Sequence, residues 1–224
     1  MLEPKNEIKK MWRIFPVGSK SILELRALVP TGGTMKAKPV TKHFRALNYK
    51  SVDDCKLAFE HEALNLNGLG FNVYTMMNPI KEGFTGYAAG DVDIDYRDLL
   101  LIDIDRAVKK TEPANDTEVE EARLTANQIM AYLSERGFSD PLRTMTGNGH
   151  HLYYVLKDVP NIPEVTATVQ QVLHHLALKF NNEQVKVDTA VFNASRITKV
   201  PGTIMRKGSE SAGRPFRMAV VHEE

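Results

Sequence analysis

Two aspartates separated by one residue are the first group in this sequence with an evident chemical use. Asp103 and Asp105 end the apolar run 99–102 (LLLI), which is typical of a buried central strand. Side chains two positions apart on a strand point to the same face, so the two carboxylates project together. Carboxylates this close repel unless a cation lies between them, which is how hard divalent metals are held. The pattern predicts a metal-binding edge, although an isolated Asp-x-Asp is more often a plain acidic strand end.

A second acidic row competes with this pair. Asp91, Asp93 and Asp95 also alternate, but no apolar run precedes them. We interpret them as a solvated edge, with at most a supporting role.

Turn residues and two histidines form the next group. Thr146 precedes the Gly-Asn-Gly sequence 147–149, which predicts a hairpin between strands at 144–146 and 150–156. His150 and His151 are adjacent, so they point to opposite faces of a strand and only one can face a given site. They are therefore a poor metal-binding pair.

The third group combines one acid with several bases. Asp188 would complete a three-carboxylate metal site, and four basic side chains have the chemistry of phosphate ligands. Basic residues near a chain end are usually surface residues, so this segment carries little weight by itself. The four are Arg196, Lys199, Arg206 and Lys207.

The hydrophobic pattern predicts the elements that must position these groups. Helices are expected from the Ser51–Asp54 capping box to about 65, from the Thr117–Glu120 capping box to Gly137, and over 163–180. After residue 98 the order is strand, helix, hairpin, helix, strand, which indicates an α+β fold with an antiparallel sheet and helices on one face. Further strands are expected at 22–29, 71–77, 185–189, 196–200 and 217–221.

Composition is that of an ordinary globular domain, and the small net charge hides an uneven distribution. The 224 residues carry a net charge of +1, with 42% hydrophobic and 25% charged residues. Residues 1–50 sum to +8, residues 91–121 to −7 and residues 196–217 to +5. Two basic segments around an acidic one suit a polyanion site that holds metal ions.

The single cysteine excludes an internal disulfide and a zinc site built from several cysteines. No apolar run approaches the roughly 20 residues that span a bilayer, and the first ten residues are too polar for a secretory signal. We expect a cytoplasmic protein with no membrane partner.

Taken together, the three groups resemble the archaeo-eukaryotic primase superfamily, and most nearly the primase-polymerase domains of phages, plasmids and related mobile or defence systems. Each motif is weak alone, but the ordered set is specific and covers most of the chain. The matching segments are 24–27 (ELRA), 74–79 (YTMMNP), 101–105 (LIDID), 146–152 (TGNGHHL), 188–193 (DTAVFN), 196–203 (RITKVPGT), 206–208 (RKG) and 214–217 (RPFR).

The resemblance implies a single primase-polymerase domain with an RRM-like catalytic core over 98–224 and a smaller N-terminal α/β module over 1–97. It implies that Asp103, Asp105 and Asp188 are catalytic ligands of two Mg²⁺ or Mn²⁺ ions. His151, rather than His150, would contact nucleotide phosphates. Further nucleotide contacts are implied for Thr146, where relatives usually have Ser, and for Arg196, Lys199, Arg206 and Lys207.

The implied activity is template-directed nucleotidyl transfer, a DNA primase or polymerase using nucleoside or deoxynucleoside triphosphates on single-stranded DNA. A fused or associated helicase outside this chain would be a partner. Two alternatives remain. A non-catalytic nucleic-acid- or nucleotide-binding module needs no turnover. A single-strand-nicking initiator needs a His-x-His pair and a nucleophilic tyrosine such as Tyr153 or Tyr154, and the adjacent histidines disfavour it.

Overall fold

A computed structural model describes residues 3–108 and 111–222. Its helices are Pro4–Lys10 (α1), Val52–Gly68 (α2), Asp116–Ser134 (α3) and Pro163–Phe180 (α4). Its strands are Ile22–Leu28 (β1), Val40–Arg45 (β2), Asn72–Met76 (β3), Tyr96–Arg106 (β4), Leu142–Met145 (β5), His150–Pro160 (β6), Val185–Val187 (β7), Ile197–Lys199 (β8), Ile204–Met205 (β9), Arg217–Met218 (β10) and Val220–Val221 (β11).

The strands form two antiparallel sheets and a small ribbon. The first sheet has the order β2-β1-β3-β8, the second has the order β11-β5-β6-β4-β7, and β9 pairs with β10. Helix α2 packs on the first sheet, and α3 and α4 pack on the second. The predicted α+β class with antiparallel sheets and flanking helices is confirmed. Strand β8 pairs with β3, so the two parts of the chain interlock, and the boundary at residue 97 stays a prediction.

Strand β4 is the centre of the second sheet and separates two environments. Ile102 and Ile104 are fully buried on the side where α3 packs. Asp103 and Asp105 alternate with them and face the first sheet, as the two-residue period of a strand requires. The apolar core continues from one sheet to the other, so both faces of β4 are held by packing.

Several predicted boundaries differ from the structure, and two of these differences have a cause in the contacts. Helix α3 begins at an Asn115–Glu118 capping box, in which each side chain accepts the other's backbone N–H, rather than at Thr117. The predicted strand 217–221 is divided between the ribbon and the second sheet. The division falls at Ala219, whose backbone bonds residues 202 and 203 instead of a strand.

A buried ion cluster joins α3 to the end of β4 and to a later loop. Glu118 accepts hydrogen bonds from Arg106 at 2.9 Å and from Arg214 at 2.7 and 2.9 Å. Burial alone would raise the pKa of Glu118, but the bonds from Arg214, the Asn115 N–H and Arg106 lower it to about 2. We call these three side chains the Glu118 cluster.

Within the described ranges, no helix is long and apolar enough to cross a membrane.

Candidate active site

The paired aspartates open onto a cavity of about 320 Å³ between the two sheets. Asp103 and Asp105 line it from β4, and β8 lines it from the opposite sheet. Both carboxylates are partly buried, and Asp105 Oδ1 also accepts the backbone N–H of Arg106 at 2.9 Å. Two negative groups thus share one partly enclosed space, where electrostatic interactions are stronger than in water.

His151 lies opposite Asp103 in the β4–β6 ladder, with Nε2 at 3.3 Å from Asp103 Oδ1. Its Nδ1 lies 2.9 Å from the Tyr153 hydroxyl and 3.1 Å from Thr198 Oγ1. Because the other ring nitrogen is held in this way, Nε2 is fixed toward the carboxylate and the cavity. His150 faces away, on the helix side of the same strand.

Tyr153, which the sequence suggested only as a nucleophile for the nicking alternative, and Thr198, which it did not suggest, support His151 from below. Their hydroxyls lie 2.6 Å apart, joining β6 of one sheet to β8 of the other beneath His151. Tyr153 is fully buried, and that burial raises the pKa of its phenol. The tyrosine is therefore a neutral support. Tyr154 is also buried, so neither hydroxyl is exposed as the nucleophile of a nicking enzyme needs to be.

The turn before β6 brings Thr146 and Asn148 to the cavity. Thr146 Oγ1 bonds the backbone N–H and carbonyl of Gly149, each at 3.2 Å. Gly149 is required by close approach, since a Cβ there would lie 2.3 Å from the Ile104 carbonyl oxygen. The turn therefore packs directly against the strand end that carries Asp105.

Asn148 has an amide nitrogen with no partner. Its Oδ1 accepts the Ala114 N–H at 2.8 Å, which fixes the side chain, whereas Nδ2 is buried and unbonded. The residue is 6% exposed and lines the cavity. A buried donor without an acceptor is unfavourable, so this group has a vacant hydrogen bond for a ligand. An Asn between two glycines signals a turn and gives no other sign of this role.

The predicted basic residues take different positions. Arg196, Lys199 and Lys207 line the cavity, whereas Arg206 does not. Lys199 is 3% exposed, and its ammonium donates to Thr203 Oγ1 at 2.7 Å and to the Ile204 carbonyl at 3.2 Å. Burial, and then the charge of Arg206, lower the pKa of Lys199 well below its ordinary value.

The third predicted carboxylate lies beside the cavity and does not line it. Asp188 follows β7, and its backbone N–H donates to the Asp103 carbonyl at 2.8 Å. Its Oδ1 accepts the Ala190 N–H at 2.8 Å, and its Oδ2 lies 3.9 Å from Arg196 Nη2. The three carboxylates are neighbours in the sheet, but the side chain of Asp188 is turned toward Arg196.

The residues fit divalent cations in donor type. Carboxylate oxygens are the ligands that Mg²⁺ and Mn²⁺ prefer, and two of them line the cavity with a third adjacent. Among residues 3–108 and 111–222, no three His, Cys, Asp or Glu side chains form a group that could hold a metal as they stand. A three-ligand site therefore requires the Asp188 carboxylate to rotate away from Arg196.

The rival acidic row is structural. Asp91 accepts the Ser195 N–H and hydroxyl, each at 2.7 Å, and Asp93 accepts the Gly90 N–H at 2.8 Å. Asp91–Asp93 is a short 3-10 turn rather than a strand, so the two-residue alternation does not apply.

No family model matches this sequence, and no curated protein matches it. Solved structures similar in fold include two polymerase-related domains. The AEP domain of the cyanophage S-2L primase-polymerase has a TM-score of 0.57 at 15% identity, over 98% of this chain and 89% of that chain. The polymerase domain of Mycobacterium tuberculosis ligase D, in complex with DNA, has a TM-score of 0.51 at 14% identity, over 94% and 78%. The chain has the fold of primase-polymerase (AEP) domains.

Proposed function

We propose that this protein is a template-directed nucleotidyltransferase that makes or extends primers on single-stranded DNA with the help of two divalent cations. One observation carries the proposal. Asp103, Asp105, His151, Arg196 and Lys207, from separate parts of the sequence, lie on one cavity between two sheets. A pair of acids beside a set of bases suits a cation-bound triphosphate.

Asp103 and Asp105 would hold Mg²⁺ or Mn²⁺, with Asp188 as a third ligand. Cations held by these residues would supply a lowered pKa for an attacking 3′-hydroxyl and positive charge beside the triphosphate and the leaving pyrophosphate. The protein's own contribution is positioning and electrostatic stabilisation. An incoming triphosphate would draw Arg196 away from Asp188, which lies 3.9 Å from it, and would free that carboxylate to turn inward.

Phosphate oxygens would be bound by Arg196, Lys207 and the fixed Nε2 of His151. Thr146 shapes the turn, and Asn148 donates its vacant N–H to the nucleotide. Lys199 and Arg206 would act indirectly, without binding the phosphates themselves. The Lys199 ammonium holds residues 203 and 204, and Asn72 holds the Arg206 backbone, so these contacts fix the segment that presents Lys207.

The partners would be a single-stranded DNA template, nucleoside or deoxynucleoside triphosphates, and a fused or associated helicase. The basic segment 1–50 would hold template or primer phosphates, which makes binding sensitive to salt. Of the structural neighbours described above, one is the AEP domain of a primase-polymerase and the other is a polymerase domain in complex with DNA, which supports this choice of partners.

A primer-synthesis assay on single-stranded DNA with labelled nucleotides tests the proposal. We expect product that requires Mg²⁺ or Mn²⁺, and a loss of at least about a hundredfold in Asp103→Asn. Asp53→Asn is the matched control, because Asp53 is exposed on α2, where it pairs with Lys56 at 3.4 Å. Full synthesis by Asp103→Asn would contradict the metal assignment.

A non-catalytic nucleotide-binding module is the second candidate. The orientation of Asp188 toward Arg196 favours it, because a binding module needs no third metal ligand. It predicts nucleotide affinity without divalent cation and no product with either metal. Cation-dependent nucleotide affinity together with product formation would exclude it.

A further inference from the structure

A second polar cavity lies on the helix side of the second sheet, away from the candidate active site. It has a volume of about 110 Å³ and lies between α3, β5, β6 and the residue after β11. His150 of β6 and His222 line it, with rings stacked at 5.3 Å between centroids. Because His150 and His151 are consecutive on β6, the two cavities lie on opposite faces of the same strand.

Both histidines have an unbonded nitrogen in this cavity. Nε2 of His150 and Nε2 of His222 are buried and have no hydrogen-bond partner, and His150 is 4% exposed. Burial, followed by the charges of His222, His151 and Arg123, lowers the pKa of His150 to about 3. Two neutral rings with vacant hydrogen bonds are costly in a core unless a ligand satisfies them.

Two arginines supply positive charge to the same space. Arg143 lies on the wall, with Nη1 at 3.5 Å from Asn127 Oδ1 and 3.9 Å from Met130 Sδ, and it forms no ion pair within the described residues. Arg123 also lines the cavity and is paired with Glu120 at 2.6 and 2.8 Å. Among the described residues, the acids that act on these two rings are Glu120 and, toward His222, Glu7, which is bonded to Lys10.

We propose that this cavity binds one small tetrahedral oxyanion of the phosphate type, held by Arg143 and Arg123 and by the Nε2–H groups of His150 and His222. The donors come from four separate elements around the cavity, which suits oxygens pointing in several directions better than the two oxygens of a carboxylate. The volume accommodates a single such group. The inference does not depend on the proposed polymerase function.

Histidine ring ¹⁵N–¹H spectra of the full chain, titrated with inorganic phosphate at constant ionic strength, test the site. We expect saturable shifts of the His150 and His222 ring nitrogens, and affinity about tenfold weaker in Arg143→Gln through loss of charge-assisted bonds. Arg136→Gln is the control, since Arg136 lies beyond α3 over the Tyr132 ring and should leave the titration unchanged. Arg143→Lys, which keeps the charge, should bind with intermediate affinity.

An oligonucleotide, acetate and sodium chloride, each added in place of phosphate, identify the class of ligand. A short single-stranded oligonucleotide in place of phosphate distinguishes a polymer-borne phosphate from the free ion, and acetate tests the preference for a tetrahedral anion. Absence of shifts with both phosphate and oligonucleotide would overturn the proposal. So would equal shifts with sodium chloride, or an unchanged phosphate titration in Arg143→Gln whose spectrum shows a native fold. His151 reports phosphate at the candidate active site in the same spectra.

Discussion

Two groups of charged residues meet at the end of β4 and differ in how their polar groups are satisfied. In the Glu118 cluster, one carboxylate receives bonds from two arginines and the Asn115 N–H, and the Arg106 side chain is 1% exposed. Around Asp103 and Asp105, acids and bases instead line an open volume of about 320 Å³, and the Asn148 amide has a vacant donor.

This difference separates groups that stabilise the fold from groups arranged for a ligand. The charges of a closed ion cluster are already paired in the folded chain, so breaking the cluster should lower the free energy of unfolding. Two neighbouring carboxylates in an open cavity repel each other and lower stability, and this cost is offset when a ligand binds. Substitutions in the two regions should therefore have opposite profiles of activity and stability.

The largest effect is expected from Asp105→Asn. The change keeps the size of the side chain and removes one charge from the cavity, so primer synthesis should fall roughly 10²- to 10³-fold. The free energy of unfolding should change by less than about 1 kcal/mol. Parallel synthesis assays and urea unfolding measure the two quantities, with Asp95→Asn as the control from the rival acidic row. A large loss of stability in Asp105→Asn would place this residue with the Glu118 cluster.

Glu118→Gln should give the reverse profile. Leaving the buried Arg106 guanidinium without a carboxylate should cost on the order of 3 kcal/mol of unfolding free energy. Because the folded pKa of Glu118 is lowered to about 2, its contribution is fully present above the unfolded value near 4.5 and is lost as the pH falls from there toward 2.

Urea unfolding from pH 7 to pH 2.5 tests this second expectation. The wild type should lose stability through that window, and Glu118→Gln should lose less of it. Glu135→Gln, an exposed residue just beyond α3, should follow the wild type. Identical pH profiles for wild type and Glu118→Gln would show that the cluster does not stabilise the protein.

The features that depend on local periodicity could be predicted from the sequence. The strand alternation placed Asp103 and Asp105 on one face and separated His151 from His150, and the class of the fold followed from the order of elements. The family resemblance brought Asp188 near the pair, although its side chain turns to Arg196. The inferences from alternation hold because a strand repeats every two residues regardless of what packs against it.

The rest depends on contacts between residues distant in sequence. Thr198 meets Tyr153 only because β8 joins the first sheet, and no local pattern indicates that pairing. The capping box at Asn115 was missed because Thr117 and Glu120 satisfy the same pattern two residues later, and packing of Glu118 with Arg106 and Arg214 decides between them.

The smallest effect is expected at Asn148, where two variants separate a role in supporting the turn from a role in binding the nucleotide. Asn148→Asp keeps Oδ1 as acceptor for the Ala114 N–H and replaces the vacant donor, so the fold should persist while the KM for nucleotide rises about tenfold. Asn148→Ala removes the donor without adding charge and should raise the KM similarly, with an additional loss of stability from the missing Ala114 bond. If Asn148 serves only the turn, Asn148→Ala will lose stability and keep the wild-type KM. Steady-state kinetics and thermal unfolding of both variants measure this, with kcat expected to change less than KM.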